Sequence, residues 1–162
     1  MIQRTLVLLK PDAVKRGLIG RIIQRFEDAG LKIVAAKMVW ASKEQADKHY
    51  FDLGIRRGEH VKKRMIDFLT QGPILALVLE GIEAVDVVRK MVGGTEPKTA
   101  PPGTIRGDFA HQSFMYADAK NKGVPNLIHA SSSLEEAKKE IKLWFKDSEI
   151  HSYKTVHEEF VF

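Results

Sequence analysis

The 162-residue chain has a globular composition, 44% hydrophobic, and no apolar run near the roughly 20 residues needed to cross a bilayer, so a membrane-spanning helix is excluded. It holds no cysteine, which removes any disulfide framework or thiolate site and makes a reducing, cytoplasmic setting the expectation. Its 26 basic and 21 acidic residues leave a net charge of +5, which favours anionic partners without choosing among nucleotides, nucleic acid and membrane surfaces.

In chain order the pattern alternates strand and helix. Met1-Ile2-Gln3-Arg4-Thr5 leads into a strand pattern and not into a signal sequence. Thr5 to Leu9 reads as a short strand closed by Lys10-Pro11-Asp12, because proline cannot continue a central strand. Ile19, Ile22, Ile23, Phe26 and Ala29 share one helical face, and Gly30 supplies the stop. Ile33 to Trp40 is a second strand, after which Ser42 and Gln45 open a helix as a capping box.

Gly54 and Gly58 bracket a loop, Val61 to Leu69 is helical by pattern, and Pro73 to Glu80 is the nearly unbroken apolar run of a strand buried on both faces. A helix is expected over Ile82 to Val92, ending at Gly93-Gly94. Thr95 to Gly107 is rich in proline and glycine and lacks periodicity, a length that favours a functional loop over a plain connection. His111 to Pro125 is also irregular. A last short strand and a helix over Leu134 to Phe145 complete the order. It predicts one α/β domain over 1–162, an α+β sandwich of ferredoxin-like split β-α-β type with a central antiparallel sheet covered by helices.

The most telling stretch is Asn126-Leu127-Ile128-His129-Ala130-Ser131, which puts an imidazole at the end of an apolar run just before the capping signal Ser133-x-x-Glu136. A strand-to-helix junction fixes a side chain at a cleft and offers helix N–H groups to an anion. Taken alone, one histidine of six is an ordinary polar residue.

Neither a Gly-x-x-x-x-Gly-Lys-Ser/Thr loop nor a Gly-x-Gly-x-x-Gly loop is present, so a nucleotide here needs side-chain cations. Lys10 ends the first strand, Arg89 lies near a helix end beside Gly93-Gly94-Thr95, and Arg106 sits in Gly103-Thr104-Ile105-Arg106-Gly107-Asp108. Each alone would pass for a solvated cation. No protein cage for a metal is evident among the histidines, whereas Mg2+ carried on phosphates needs none.

Lys10-Pro11-Asp12-Ala13, His49-Tyr50, Gly103-Thr104-Ile105-Arg106-Gly107-Asp108-Phe109 and Asn126-x-x-His129-Ala130-Ser131, in this order, closely resemble the nucleoside diphosphate kinase family. The likeness runs from Arg4 to about Phe145. It implies ping-pong phosphoryl transfer, in which His129 takes the γ-phosphate of a nucleoside triphosphate and passes it to a nucleoside diphosphate. By the same resemblance Glu140 orients His129 with help from Ser131, and Tyr50 packs near the histidine and lysine. Lys10, Arg89, Thr95 and Arg106 match the phosphate-binding set, Lys10 and Asn126 the ribose contacts, and Asp52 an aspartate that reaches the metal through water. The family implies homo-oligomers, most often hexamers, with Pro97 to Gly103 in trimer contacts.

The chain departs from the family in three places. The family clamps the base between an aliphatic residue, matched by Val61, and an aromatic one that is missing here. Counting from Tyr50 points to Gly58 and counting back from Val61 points to Arg57, whose planar cation can stack on a base. Ser132 stands where an aspartate is usual. The connection from Phe109 to Asn126 is longer than the family's, and Phe114, Met115 and Tyr116 are expected there as an added strand or a subunit contact.

Two other classes compete. A nucleic-acid module would suit the basic charge, but the aromatic strand motif of RNA recognition domains is absent, so nucleic acid is not required. A phosphohistidine carrier would account for His129 but not for the cations and Asn126 assembled for a whole nucleotide.

Overall fold

A computed structural model describes all 162 residues. The chain runs β1 (Ile2–Leu9), α1 (Pro11–Lys15), α2 (Ile19–Asp28) and β2 (Lys32–Val39), then α3 (Lys43–His49), α4 (Leu53–Arg57), α5 (Glu59–Leu69) and β3 (Ile74–Ile82). It continues through α6 (Ala84–Val92), a 3₁₀ turn (Pro97–Thr99), α7 (Ile105–Phe109), α8 (Phe114–Ala119) and β4 (Ile128–Ala130) to α9 (Leu134–Trp144). A second 3₁₀ turn (Asp147–Glu149) and α10 (Glu158–Val161) close it.

The strands form one antiparallel sheet in the order β2-β3-β1-β4, the ferredoxin-like arrangement expected from the element order. β1 and β3 lie in the middle, which is why both are buried apolar runs. The period of two along β1 divides the core. Val7 and Leu9 pack with Ile22 and Phe26 of α2 and Val88 of α6, whereas Leu6 and Leu8 pack with Ala46 of α3, Leu69 of α5 and Trp144 of α9. Phe26 and Trp144 anchor the two layers, and truncating either to alanine should cost about 3–5 kcal/mol.

Both serine caps form: Ser42 Oγ accepts from Gln45 N and Ser133 Oγ from Glu136 N, each at 3.1 Å. At α9 the reciprocal half is displaced by one residue, since the Glu136 carboxylate accepts from Ser132 N. Several boundaries differ from the sequence expectation. β1 starts at Ile2, because Ile2 to Arg4 still pair with Glu80 to Ile82. For the same reason Ile82 closes β3 instead of opening a helix, and Glu83, at φ +48°, turns the chain into α6. The segment between Gly54 and Gly58 is largely α4, not loop, and the Thr95 to Gly107 stretch contains the 3₁₀ turn and the start of α7.

Phe114, Met115 and Tyr116 form the first turn of α8, not a strand, because Ser113 Oγ caps it by accepting from Tyr116 N at 3.2 Å. After α9 the chain returns along the outer edge of β2. His151 N donates to Val34 O at 2.8 Å, Tyr153 Oη to Ile33 O at 2.7 Å, and Glu158 pairs with the buried Lys32 at 2.8 Å.

Candidate active site

A strained turn ahead of β4 sets the geometry. Leu127 has φ +69° and Ile128 N donates back to Asn126 O at 2.8 Å, the bond pattern of a γ-turn, a conformation that costs of order 1–3 kcal/mol for a residue with a side chain. Three interactions hold it. Leu127 is fully buried, its N–H donates to Asp12 Oδ2 at 2.9 Å, and its carbonyl accepts from Lys10 N at 2.8 Å. The turn and the pairing of His129 with Leu8 leave Asn126 and His129 lining one cavity.

His129 Nε2 lies 2.8 and 2.9 Å from the two oxygens of Glu140, and Ser131 Oγ donates to the same carboxylate at 2.6 Å. The carboxylate thus keeps the proton on Nε2 and leaves the lone pair on Nδ1, which has no protein partner. Behind Glu140 stands His49, its Nδ1 3.5 Å from Glu140 Oε1 and accepting from Trp144 Nε1 at 3.3 Å. The His49 ring meets the His129 ring edge-on at 4.4 Å between centroids. The sequence reading quoted His49 within the His49-Tyr50 motif without giving it a role, and its burial with Ala46 on one face of α3 follows the helical period.

His49, His129 and Glu140 are close enough to ligate one ion, but they are already joined to each other. Burial raises the Glu140 carboxyl above its ordinary range, against the opposing pull of His49 and the Ser131 hydroxyl. Burial, followed by Lys10, Arg106 and Arg89, holds His129 down at about 3 despite the opposing charge of Glu136. The imidazole is therefore neutral at physiological pH.

The cations come from three segments. Lys10, at the end of β1, is almost fully buried and donates to Asn126 Oδ1, while Asn126 Nδ2 donates to Thr95 O at 2.8 Å. Burial, and then the charge of Arg106, lowers Lys10 to about 8, with Asp12 opposing. Arg106 donates through Nε to Asn126 O at 3.1 Å, through Nη1 to Gly93 O at 2.9 Å and through Nη2 to Ile128 O at 2.5 Å. Three of its five N–H groups thus fasten the site's backbone and two remain for a ligand. Gly93, at φ +84°, allows this packing, since a Cβ there would fall 2.5 Å from Thr104 Oγ1.

The cavity holds about 600 Å³. It brings together Lys10, Tyr50, Arg89, Thr95, Arg106 and Asn126 around His129, with Val61 at the α5 side. Tyr50 sits beside His49 at 4.8 Å, and burial pushes its hydroxyl far above the ordinary range. Ser131 lies behind the site and reaches it only through Glu140. Asp52 is at the rim, bound in bidentate fashion by Arg56 at 2.7 and 3.0 Å. Of the two alternatives for the missing aromatic, Arg57 lines the cavity, and Gly58 is the turn residue at φ +94°.

Buried cations on one side of a neutral, carboxylate-oriented imidazole make a site for an anionic group that can accept the Nδ1 lone pair. Comparison with known proteins agrees. The family described as nucleoside diphosphate kinase matches residues 3–150. A nucleoside diphosphate kinase of Borreliella burgdorferi is 49% identical over 156 residues, 95% of this chain and 93% of that protein. One of Pyrococcus abyssi is 52% identical over 151 residues, 93% and 89% of the two chains. Among solved structures, a transition-state mimic of the Borrelia burgdorferi enzyme with bound vanadate and ADP superposes with a TM-score of 0.97 at 48% identity, covering 99% of this chain and 96% of that one. A Halobacterium salinarum enzyme in complex with CDP gives 0.87 at 35% identity, covering 100% and 99%.

Proposed function

The chain belongs to the nucleoside diphosphate kinase family and is a phosphotransferase, and we propose that it works by ping-pong transfer through a phosphohistidine at His129. The observation that carries this is the Nε2 contact of His129 with Glu140, which aims the free Nδ1 into a cavity walled by Lys10, Arg89 and Arg106. The Nδ1 lone pair attacks the γ-phosphorus of a nucleoside triphosphate, a P–N bond forms as the P–O bond to the β-phosphate breaks, and the diphosphate leaves with that oxygen's electron pair. The reverse sequence on a second nucleoside diphosphate restores the free imidazole.

Lys10, Arg89, Arg106 and the Thr95 hydroxyl offset the negative charge on the transferring group, and Lys10 and Asn126 meet the ribose hydroxyls. The cavity's carboxylates are engaged in protein contacts, Glu140 with His129, Asp52 with Arg56, Glu136 with Ser132 and Asp118 with Arg64, so the site offers no ready cage. That suits Mg2+ arriving on the nucleotide, where it would shield the phosphate charge, with Asp52 reaching it through water. The same reading makes the molecule a single-domain, cytoplasmic homo-oligomer, a hexamer first, with Pro97 to Gly103 at trimer contacts.

Incubation with γ-labelled ATP should give an acid-labile phosphoprotein that any nucleoside diphosphate discharges, and His129→Ala should abolish labelling. A label that ignores nucleoside diphosphates would mean a carrier, and no label would mean a binding module. A sedimentation experiment that found only monomer would refute the hexamer.

A further inference from the structure

Where the sequence lacks an aromatic residue at Arg57 and Gly58, the structure presents one from the opposite wall. The inference rests on the kinase reading above: phosphates at Lys10, Arg89 and Arg106 and a ribose at Asn126 send the base outward to the cavity mouth. The cavity lining includes Val61 and Met65 of α5 and, from the long connection after α7, Phe114 and Val124. Tyr50 and Phe114 are the only lining residues with phenyl rings, and Tyr50 is held deep against His49. Phe114 therefore brings the one such ring to the mouth, and it keeps 41% of its surface exposed.

The ring is held in place. Phe114 N donates to Glu96 Oε1 at 2.8 Å, which fixes the start of α8 to the loop that follows α6. Asp118 pairs with Arg64 of α5 at 3.0 Å, which ties the far end of α8 across the mouth. Behind α8, Gly123 packs so closely that a Cβ there would lie 3.1 Å from the Phe68 side chain and 3.4 Å from Met65 Sδ. A long connection docked at three points is a wall of the cavity and not a free loop.

We propose that Phe114 is the base-stacking residue of this enzyme and biases it toward purines, the added segment supplying from the opposite wall the aromatic face that α4 lacks. An exposed ring in a concave site gains by covering its face with a heterocycle, and every base has such a face. A purine bicycle covers more of the ring than a pyrimidine does, so the gain is unequal.

The test is calorimetric binding of ADP, CDP and ribose 5-diphosphate to the full-length enzyme and to the Phe114→Ala and Phe114→Leu variants. Leucine keeps much of the volume and removes the ring, so it carries the test if the alanine variant folds poorly. In both variants Kd for ADP should rise about tenfold, the equivalent of about 1.4 kcal/mol and within the range for one stacked base. CDP should weaken less, and the base-free probe by less than about twofold. ADP affinity within about twofold of the parent would overturn the proposal, as would equal weakening of all three probes, which would mark Phe114 as a structural residue. If the parent enzyme binds ADP in either case, the kinase reading stands, whereas a parent that binds none of the probes overturns both.

Discussion

Replacing Glu140 by glutamine separates orientation of the nucleophile from everything else at the site. The change keeps shape and removes one charge from a group 2.8 Å from His129 Nε2 and 2.6 Å from Ser131 Oγ. As Nδ1 bonds to phosphorus the ring gains positive charge, and the Glu140 carboxylate is the group placed to stabilise it. A hydrogen bond to a charged partner contributes about 1.5–3 kcal/mol, so kcat should fall about 10- to 100-fold. Glutamine can also turn its NH₂ toward Nε2, which would favour the wrong tautomer and push the loss to the upper end. Stability should move the other way or not at all, because burial already disfavours the Glu140 charge and a neutral amide removes that cost. Single-turnover labelling by γ-labelled ATP, nucleotide affinity by calorimetry and Tm together check this. A kcat within about twofold of the parent, at equal affinity and Tm, would remove Glu140 from the mechanism.

Four further outcomes follow from the same geometry. Because His129 is held at about 3, labelling should stay level from pH 7 to pH 6, and a half-loss near pH 6.5 would contradict its burial among cations. His129 and His49 both sit near 3 when folded, against about 6.5 unfolded, so between those values the unfolded chain binds more protons. Denaturant midpoints should therefore be insensitive to these groups above pH 6.5 and fall as pH drops below it, with a shallower fall in His49→Gln. Lys10, lowered to about 8, should lose its charge at mildly alkaline pH, so KM for nucleotides should rise between pH 8 and 9.5 while Lys10→Met stays weak throughout. Arg106→Lys should lose at least two of three bonds to backbone carbonyls, destabilising the fold by about 2–3 kcal/mol in urea melts as well as weakening nucleotide binding. A normal melt with weak binding would assign Arg106 to the ligand alone.

Much of this was readable from the chain, and the misses have physical causes. β1 and β3 announce themselves as apolar runs because the middle of a covered sheet is dry on both faces, and Ser42 and Ser133 mark helix starts because free N–H groups need an acceptor nearby. Phe114 to Tyr116 pointed to a strand or a subunit contact on side-chain type, and the strand fails because a six-residue helix is too short to show a period and was decided by the Ser113 cap. Ile82 shares a helical spacing with Val85 and Val88, but its pairing with Ile2 draws it into the sheet. Charge at Lys10 and Arg106 was legible, whereas the grip of Arg106 on three carbonyls was not. Asp12 and His49 stand in quoted motifs, but they act on Leu127 and Glu140, which lie far away in sequence, so the contacts themselves were not legible.

The site makes one set of charges serve two ends. Lys10, Arg106 and Arg89 gather around one cavity, and burial first, then the charge of a neighbouring cation, lowers both Lys10 and Arg106, the latter to about 10. A phosphate chain entering the cavity relieves the repulsion between these charges, so binding energy comes from strain already built into the empty protein. Burial and the same cations keep His129 neutral, and Glu140 keeps the ring proton on Nε2, so the nucleophile needs no deprotonation step. In the proposed cycle the phosphoryl group moves from oxygen to Nδ1 without leaving the cations that stabilise it. Donor, phosphohistidine and acceptor complexes then present nearly the same charge to the same residues, which is the electrostatic condition for an exchange that runs equally well in both directions.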